Sequence, residues 1–287
     1  MPTNAQNHAG GCRRAFSQKY FSDVMPRGAA WISSKTRRGC ASMATCLHRP
    51  MAVTMRRMSK GKNKKHTRQN HPNLSRLSCS HNTLTSLDVS MLTNLQNFDC
   101  YDNQLSTLDV SKLTKLGCLS CSGNQLTELK LPANNALKIL DCSDNKFTEL
   151  KLSAYTGLEE LDCSDNLLSE LNLSANTELG RLYCSGNQLE ELDLSANTLL
   201  YDLDCSGNKL TSLDVSMLRK LDYLNCKENL LTTLSLGKSP NYLYCSHNRL
   251  ETLDLSRFSR SDFDCSYNNL TSIIMPLRNW GGCRKCH

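Results

Sequence analysis

From residue 74 onward apolar and polar residues alternate in short bursts: Leu161 and Cys163 are apolar, and Glu160, Asp162 and Ser164 stand around them. A period of two over so few residues predicts a short strand with one buried and one polar face. Each burst closes on an Asn, as in LDCSDN, and is followed by a second alternation, LDVS or LKLS, which predicts another short extended segment. Helix is not expected in that second half, because the segment is short and Pro132 and Pro276 occupy its Ser position.

The bursts repeat. Cys79, Cys100, Cys121, Cys142, Cys163, Cys184, Cys205 and Cys226 follow at intervals of 21 residues, then Cys245 and Cys265 at 19 and 20. Three residues after each stands Asn82, Asn103, Asn124, Asn145, Asn166, Asn187, Asn208, Asn229, Asn248 or Asn268. The unit reads L-x-x-L-x-C-x-x-N-x-L-T-x-L-D-[VL]-S-x-x-T-x. A fixed period in this range specifies a stacked repeat architecture.

One such strand cannot bury its apolar face alone. Stacked on its neighbours it forms a parallel sheet with rungs about 4.8 Å apart, and ten rungs extend roughly 48 Å. Leu161 and Cys163 then face inward with the Leu and Val five, eight and ten positions after each Cys. An inward Asn at the strand end can donate and accept to the turn backbone of its own and neighbouring coils, where strand pairing has stopped.

Charge divides the chain. Residues 1–73 hold 15 Lys and Arg and one acid, Asp23, whereas residues 74–287 hold 19 basic and 26 acidic residues. The domain reading is a basic leader over 1–73, predicted to stay disordered because it has so little apolar surface, a solenoid of about ten repeats over 74–277, and a tail over 278–287. The leader contains SKGKNKKHTR at 59–68, whose alternative reading is an intracellular nucleic-acid or anion-binding segment. No stretch is apolar enough to predict a membrane span, and the first thirty residues lack the apolar run of a secretory signal. No capping segment is legible in the closing MPLRNWGGCRKCH.

Cysteine chemistry is the first candidate to test. Thiols on adjacent rungs lie about 4.8 Å apart with parallel Cβ directions, whereas a disulfide needs Cβ atoms about 3.8 Å apart. Metal binding needs converging ligands, which a column among leucines does not supply. The column is therefore read as buried, reduced thiols serving as small hydrophobes. CRKCH at the end matches the haem-attachment pattern and could also supply zinc ligands, but neither haem nor zinc has a supporting context, and no cofactor or metal is expected. His81 and His247 sit in equivalent turns eight rungs apart and cannot meet, so no catalytic residues are assigned.

The repeat signature, in segments such as LTNLQNFDCYDNQLSTLDVSKLTKL, resembles the cysteine-containing leucine-rich repeats of internalin J and similar bacterial surface proteins. The resemblance implies a leucine-rich repeat solenoid, mostly strand and coil with little helix, whose parallel sheet lines a concave face that binds a protein or, as a second choice, a glycan. It further implies a secreted or cell-surface, adhesin-like protein.

Outward strand positions would carry that recognition. Asp141, Asp144, Glu160, Asp162 and Asp165 form an acidic zone suited to a basic partner. Tyr183, Tyr201, Tyr223, Tyr242 and Tyr244 form a tyrosine-rich zone, and Asp202 and Asp204 lie among them. Tyrosines give large rigid contact area and are common at interfaces; the structural alternative is cross-strand stacking that stabilises the sheet. The reading is a non-enzymatic binding scaffold.

Overall fold

The computed structural model describes residues 73–133, 135–237, 239–258 and 262–275. Residues 1–72 of the leader and CRKCH lie outside these residues. The described chain forms sixteen short strands and no helix. In order they are β1 (Arg76–Ser78), β2 (Asn97–Asp99), β3 (Leu108–Asp109), β4 (Cys118–Ser120), β5 (Leu129–Lys130), β6 (Ile139–Asp141), β7 (Glu160–Asp162) and β8 (Arg181–Tyr183). They continue with β9 (Asp202–Asp204), β10 (Ser212–Val215), β11 (Tyr223–Asn225), β12 (Thr233–Leu236), β13 (Tyr242–Tyr244), β14 (Thr252–Asp254), β15 (Asp262–Asp264) and β16 (Ser272–Ile274).

Ten strands pair in parallel as one sheet in the order β1-β2-β4-β6-β7-β8-β9-β11-β13-β15. Its register follows the repeat: Leu140 pairs with Leu161, Leu161 with Leu182, and Leu224 with Leu243 across the shortened nineteen-residue unit. The second half-unit forms three separate two-stranded pairs, β3-β5, β10-β12 and β14-β16. The chain is a leucine-rich repeat solenoid.

The interior is built from columns. The central strand residues, from Leu77 and Phe98 to Leu243 and Phe263, are buried, as are all ten Cys. Those cysteines are free thiols. Deletion of one inward Leu would leave a hole that close packing cannot refill, which makes each column a continuous determinant of stability.

Pairing does not stop at the strand ends. Cys142 N–H donates to Asp162 O, and Asp144 N–H to Ser164 O, so the turn is laddered rung to rung. Each Asn of the repeat donates to its own Cys carbonyl at 2.9–3.2 Å. From Asn103 on, each also donates to the preceding Cys carbonyl and accepts from a backbone N–H of the preceding coil, all at 2.9–3.1 Å.

Candidate functional site

The polar face of the ten-stranded sheet presents the first and third residue of every strand. The turn that follows sets its edge. Two residues after each Cys the backbone is left-handed in all ten repeats, with φ between 51° and 64°. Only Gly123, Gly186 and Gly207 are glycines; His81, Asp102, Asp144, Asp165, Glu228, His247 and Tyr267 adopt the same conformation. A Cβ built on Gly186 would run into the Asp165 carboxylate, so the side chain of one turn roofs the glycine of the next.

This geometry divides the acidic zone. Asp144 and Asp165 occupy the left-handed turn, exposed at the sheet's edge, whereas Asp141, Glu160 and Asp162 lie on the strand face. Asp141 is 6% exposed. Its Oδ1 accepts the Ser143 N–H and hydroxyl at 3.2 and 2.8 Å, and its Oδ2 accepts the hydroxyls of Ser120 and Ser122 at 3.0 Å each. Asp162 accepts Ser164 N–H at 3.0 Å, Asp204 accepts Ser206 N–H at 3.0 Å, and Asn225 does the same for Lys227 at 3.3 Å. The Asp-x-Ser step is therefore an Asx-turn that closes the strand, with one carboxylate oxygen committed to the fold.

Burial governs the protonation of these carboxylates. Asp99 is pushed up to about 6, desolvation outweighing the hydrogen bonds from Ser80 and Ser78. Asp162 is raised by desolvation first and then by the charge of Asp141 on the next rung. Burial also raises Glu160, although Arg181 holds its carboxylate at 3.0 Å.

The tyrosine zone is contiguous. Tyr223 packs against Tyr242 and Tyr244 with ring centroids 6.2 and 5.7 Å apart. Tyr183 donates its hydroxyl to Asp202 at 2.7 Å, and burial followed by Asp202 raises its pKa. Asn225 donates to Asp204 at 3.0 Å. Tyr242 and Tyr201 are exposed at 45% and 40%, while Tyr183, Tyr223 and Tyr244 are half-buried. Two cations that the residue pattern did not single out lie here. Arg181 stands 5.3 Å from the Tyr201 ring centre, and Lys227 stands 4.9 Å from that of Tyr244 and 3.2 Å from the Asp264 carboxylate. Lys227 was legible as the one basic residue in a column otherwise filled by Ser and Tyr101.

A further pair was missed. Asn176 and Asn197 replace the apolar residue that Leu113, Tyr155 and Leu218 supply in other coils, and both are fully buried. Each donates its amide to two backbone carbonyls, at 3.1 and 2.8 Å for Asn176 and at 3.1 and 2.9 Å for Asn197. Their Oδ1 atoms have no hydrogen-bond partner. Among the described residues no three His, Cys, Asp or Glu side chains converge in a way that could hold a metal ion. No helix there is long and apolar enough to cross a membrane.

No protein-family model matches the sequence, and no curated protein sequence matches it. Solved structures do. The functional domain of InlJ from Listeria monocytogenes, which includes a cysteine ladder, is 35% identical with a TM-score of 0.56, over 71% of this chain and 49% of that one. The leucine-rich repeat domain of APL1B is 25% identical with a TM-score of 0.59, over 69% and 62%. The LRIM1/APL1C complex is matched at 28% identity and a TM-score of 0.52, over 65% and 40%. The chain thus spans less than two thirds of the length of each. It is a leucine-rich repeat protein with a buried cysteine column, similar in its repeats and fold to the cysteine-ladder domain of InlJ.

Proposed function

We propose that the protein is a non-enzymatic scaffold that binds a protein partner on the concave, polar face of its ten-stranded sheet. The observation that carries this reading is the tyrosine cluster of Tyr223, Tyr242 and Tyr244, three large rings gathered on the sheet's polar face rather than in the core. Rigid rungs present these rings with little conformational entropy left to lose on binding. Asp202, Asp204 and Asp264 rim the cluster and would add electrostatic selectivity. One of the similar structures is itself a complex, LRIM1/APL1C, which supports a protein partner over a glycan.

The test starts from a binder selected against the full chain from a displayed protein library. Replacing Tyr223, Tyr242 and Tyr244 together by Ala should weaken that binder at least about tenfold, as expected for loss of an aromatic hot spot, without unfolding the array. Selected binders whose affinities all survive the triple replacement would refute the assignment of this face.

A further inference from the structure

On four successive rungs the first strand position reads Asp202, Tyr223, Tyr242, Asp262, and the parallel register sets Tyr223 beside Asp202 and Tyr242 beside Asp262. Two touching tyrosines are thus bracketed by carboxylates on both sides. Tyr242 and Asp262 are exposed. Nearby, the same face holds two cations of its own, and both are held in the same manner. The Arg181 guanidinium lies 5.3 Å from the Tyr201 ring centre and 3.0 Å from Glu160, and the Lys227 ammonium lies 4.9 Å from the Tyr244 ring centre and 3.2 Å from Asp264.

The physical reason is general. An aromatic face carries negative potential that attracts a cation, and an adjacent carboxylate completes its neutralisation. Guanidinium suits such a pair best, because it is planar, weakly hydrated, and can stack on a ring while its edge meets a carboxylate. A neutral sugar would use the rings but bring no charge opposite the exposed Asp262; Asp202 already accepts the Tyr183 hydroxyl at 2.7 Å and would share its carboxylate with the incoming guanidinium.

We propose that the bracket Asp202, Tyr223, Tyr242 and Asp262 receives arginine side chains from an extended, basic segment of a protein partner, one guanidinium against each tyrosine and its neighbouring carboxylate. The two tyrosine–carboxylate pairs are two rungs apart, about 10 Å, within reach of arginines two to four residues apart on an extended segment. The proposal rests on the concave-face reading above and adds the chemistry of the occupant.

The experiment is a fluorescence-anisotropy titration of the full chain with a labelled peptide of repeated Arg-Gly-Ser triplets, set against the same peptide with citrulline in place of arginine. Maltoheptaose serves as a neutral glycan. The variants are Tyr242→Leu with Asp262→Asn on the face, and Glu149→Gln with Glu170→Gln on the second half of the coil. The arginine peptide should bind at least about tenfold more tightly than its citrulline counterpart and lose about tenfold in the face variant and with added salt, while the glutamate variant binds as the parent does. Equal binding of the citrulline peptide, or an equal loss in the glutamate variant, would overturn the proposal, the latter as mere attraction to the acidic excess of residues 74–287. Maltoheptaose binding that disappears in the face variant, without arginine-peptide binding, would sink the cationic occupant and leave the face as the binding surface. Arginine-peptide binding untouched by the face variant would overturn the proposal and leave the concave-face reading to stand or fall on the triple tyrosine replacement.

Discussion

Asn145 donates its amide to the carbonyl oxygen of Cys121, one rung back, at 3.1 Å, and to that of Cys142 in its own rung at the same distance. Its Oδ1 accepts the Leu126 N–H at 2.9 Å, so one buried side chain satisfies backbone groups on two coils. Asn145→Leu removes those bonds where water cannot replace them. The expected loss is about 2–4 kcal/mol, from a buried N–H and carbonyls left short of partners, read as a fall in the urea midpoint. A loss no larger than that of an exposed control such as Lys146→Ala would show that the amide is dispensable.

The cysteine column predicts a kinetic signature. Burial pushes the thiols of Cys142 and Cys163 far above their ordinary range, so neither the reactive thiolate nor access to it is present in the folded protein. Cys118 is on the polar face and half-buried, with its thiol raised less. Treatment with a disulfide reagent at mild alkaline pH, followed by mass mapping, should label Cys118 well before Cys142 and Cys163, which react only as urea unfolds the array. Comparable labelling rates at all three would contradict the inward packing.

The contribution of Asp99 and Asp162 to stability should fall as pH rises through the acid range. Asp99 is raised to about 6 and Asp162 is raised as well, so the folded state holds protons that the unfolded chain has released. Their contribution is complete below the unfolded carboxylate value of about 3.9 and is lost as pH passes through the folded values, up to about 6 for Asp99. Asp162→Asn keeps the turn, because Asn172 and Asn225 already accept the N–H two residues on. The variant should gain stability over the parent at pH 8 and little at pH 4, measured as urea midpoints; a difference independent of pH would exclude ionisation of Asp162 as its cause.

Asn197 has a buried oxygen with no partner, while the carbonyls that its amide reaches, Leu173 and Asn176, already accept from the backbone N–H groups of Asn176 and Leu179. Leu occupies the same column at Leu113 and Leu218. Asn197→Leu should therefore stabilise the array, by about 1–2 kcal/mol of regained desolvation and apolar burial, seen as a raised urea midpoint. A lowered midpoint would mean that the amide's two donated bonds outweigh its orphaned oxygen.

The period carried a large part of the fold. Columns separated by 21, 19 or 20 residues are the very pairs that meet in the sheet, Tyr223 with Tyr242 and Tyr242 with Asp262 included, because stacking equal coils converts sequence spacing into rung neighbours. The left-handed turn column was not legible, since His81, Asp102, Gly123, Glu228 and Tyr267 share no chemistry. Their common conformation is imposed by the laddered backbone on either side.

Within the candidate site, composition indicated acids and tyrosines but could not say how each is used. Asp141 and Asp144 stand three residues apart in one LDCSDN unit, yet one is buried under four hydrogen bonds and the other is exposed in a strained turn. The sequence by itself determined the repeat, the register, the inward cysteines and which residues share a rung, because these follow from spacing and hydrophobicity alone. Only the tertiary structure decided which carboxylates close turns, which are desolvated and which tyrosines stay exposed, because those properties depend on atoms contributed by the coils above and below.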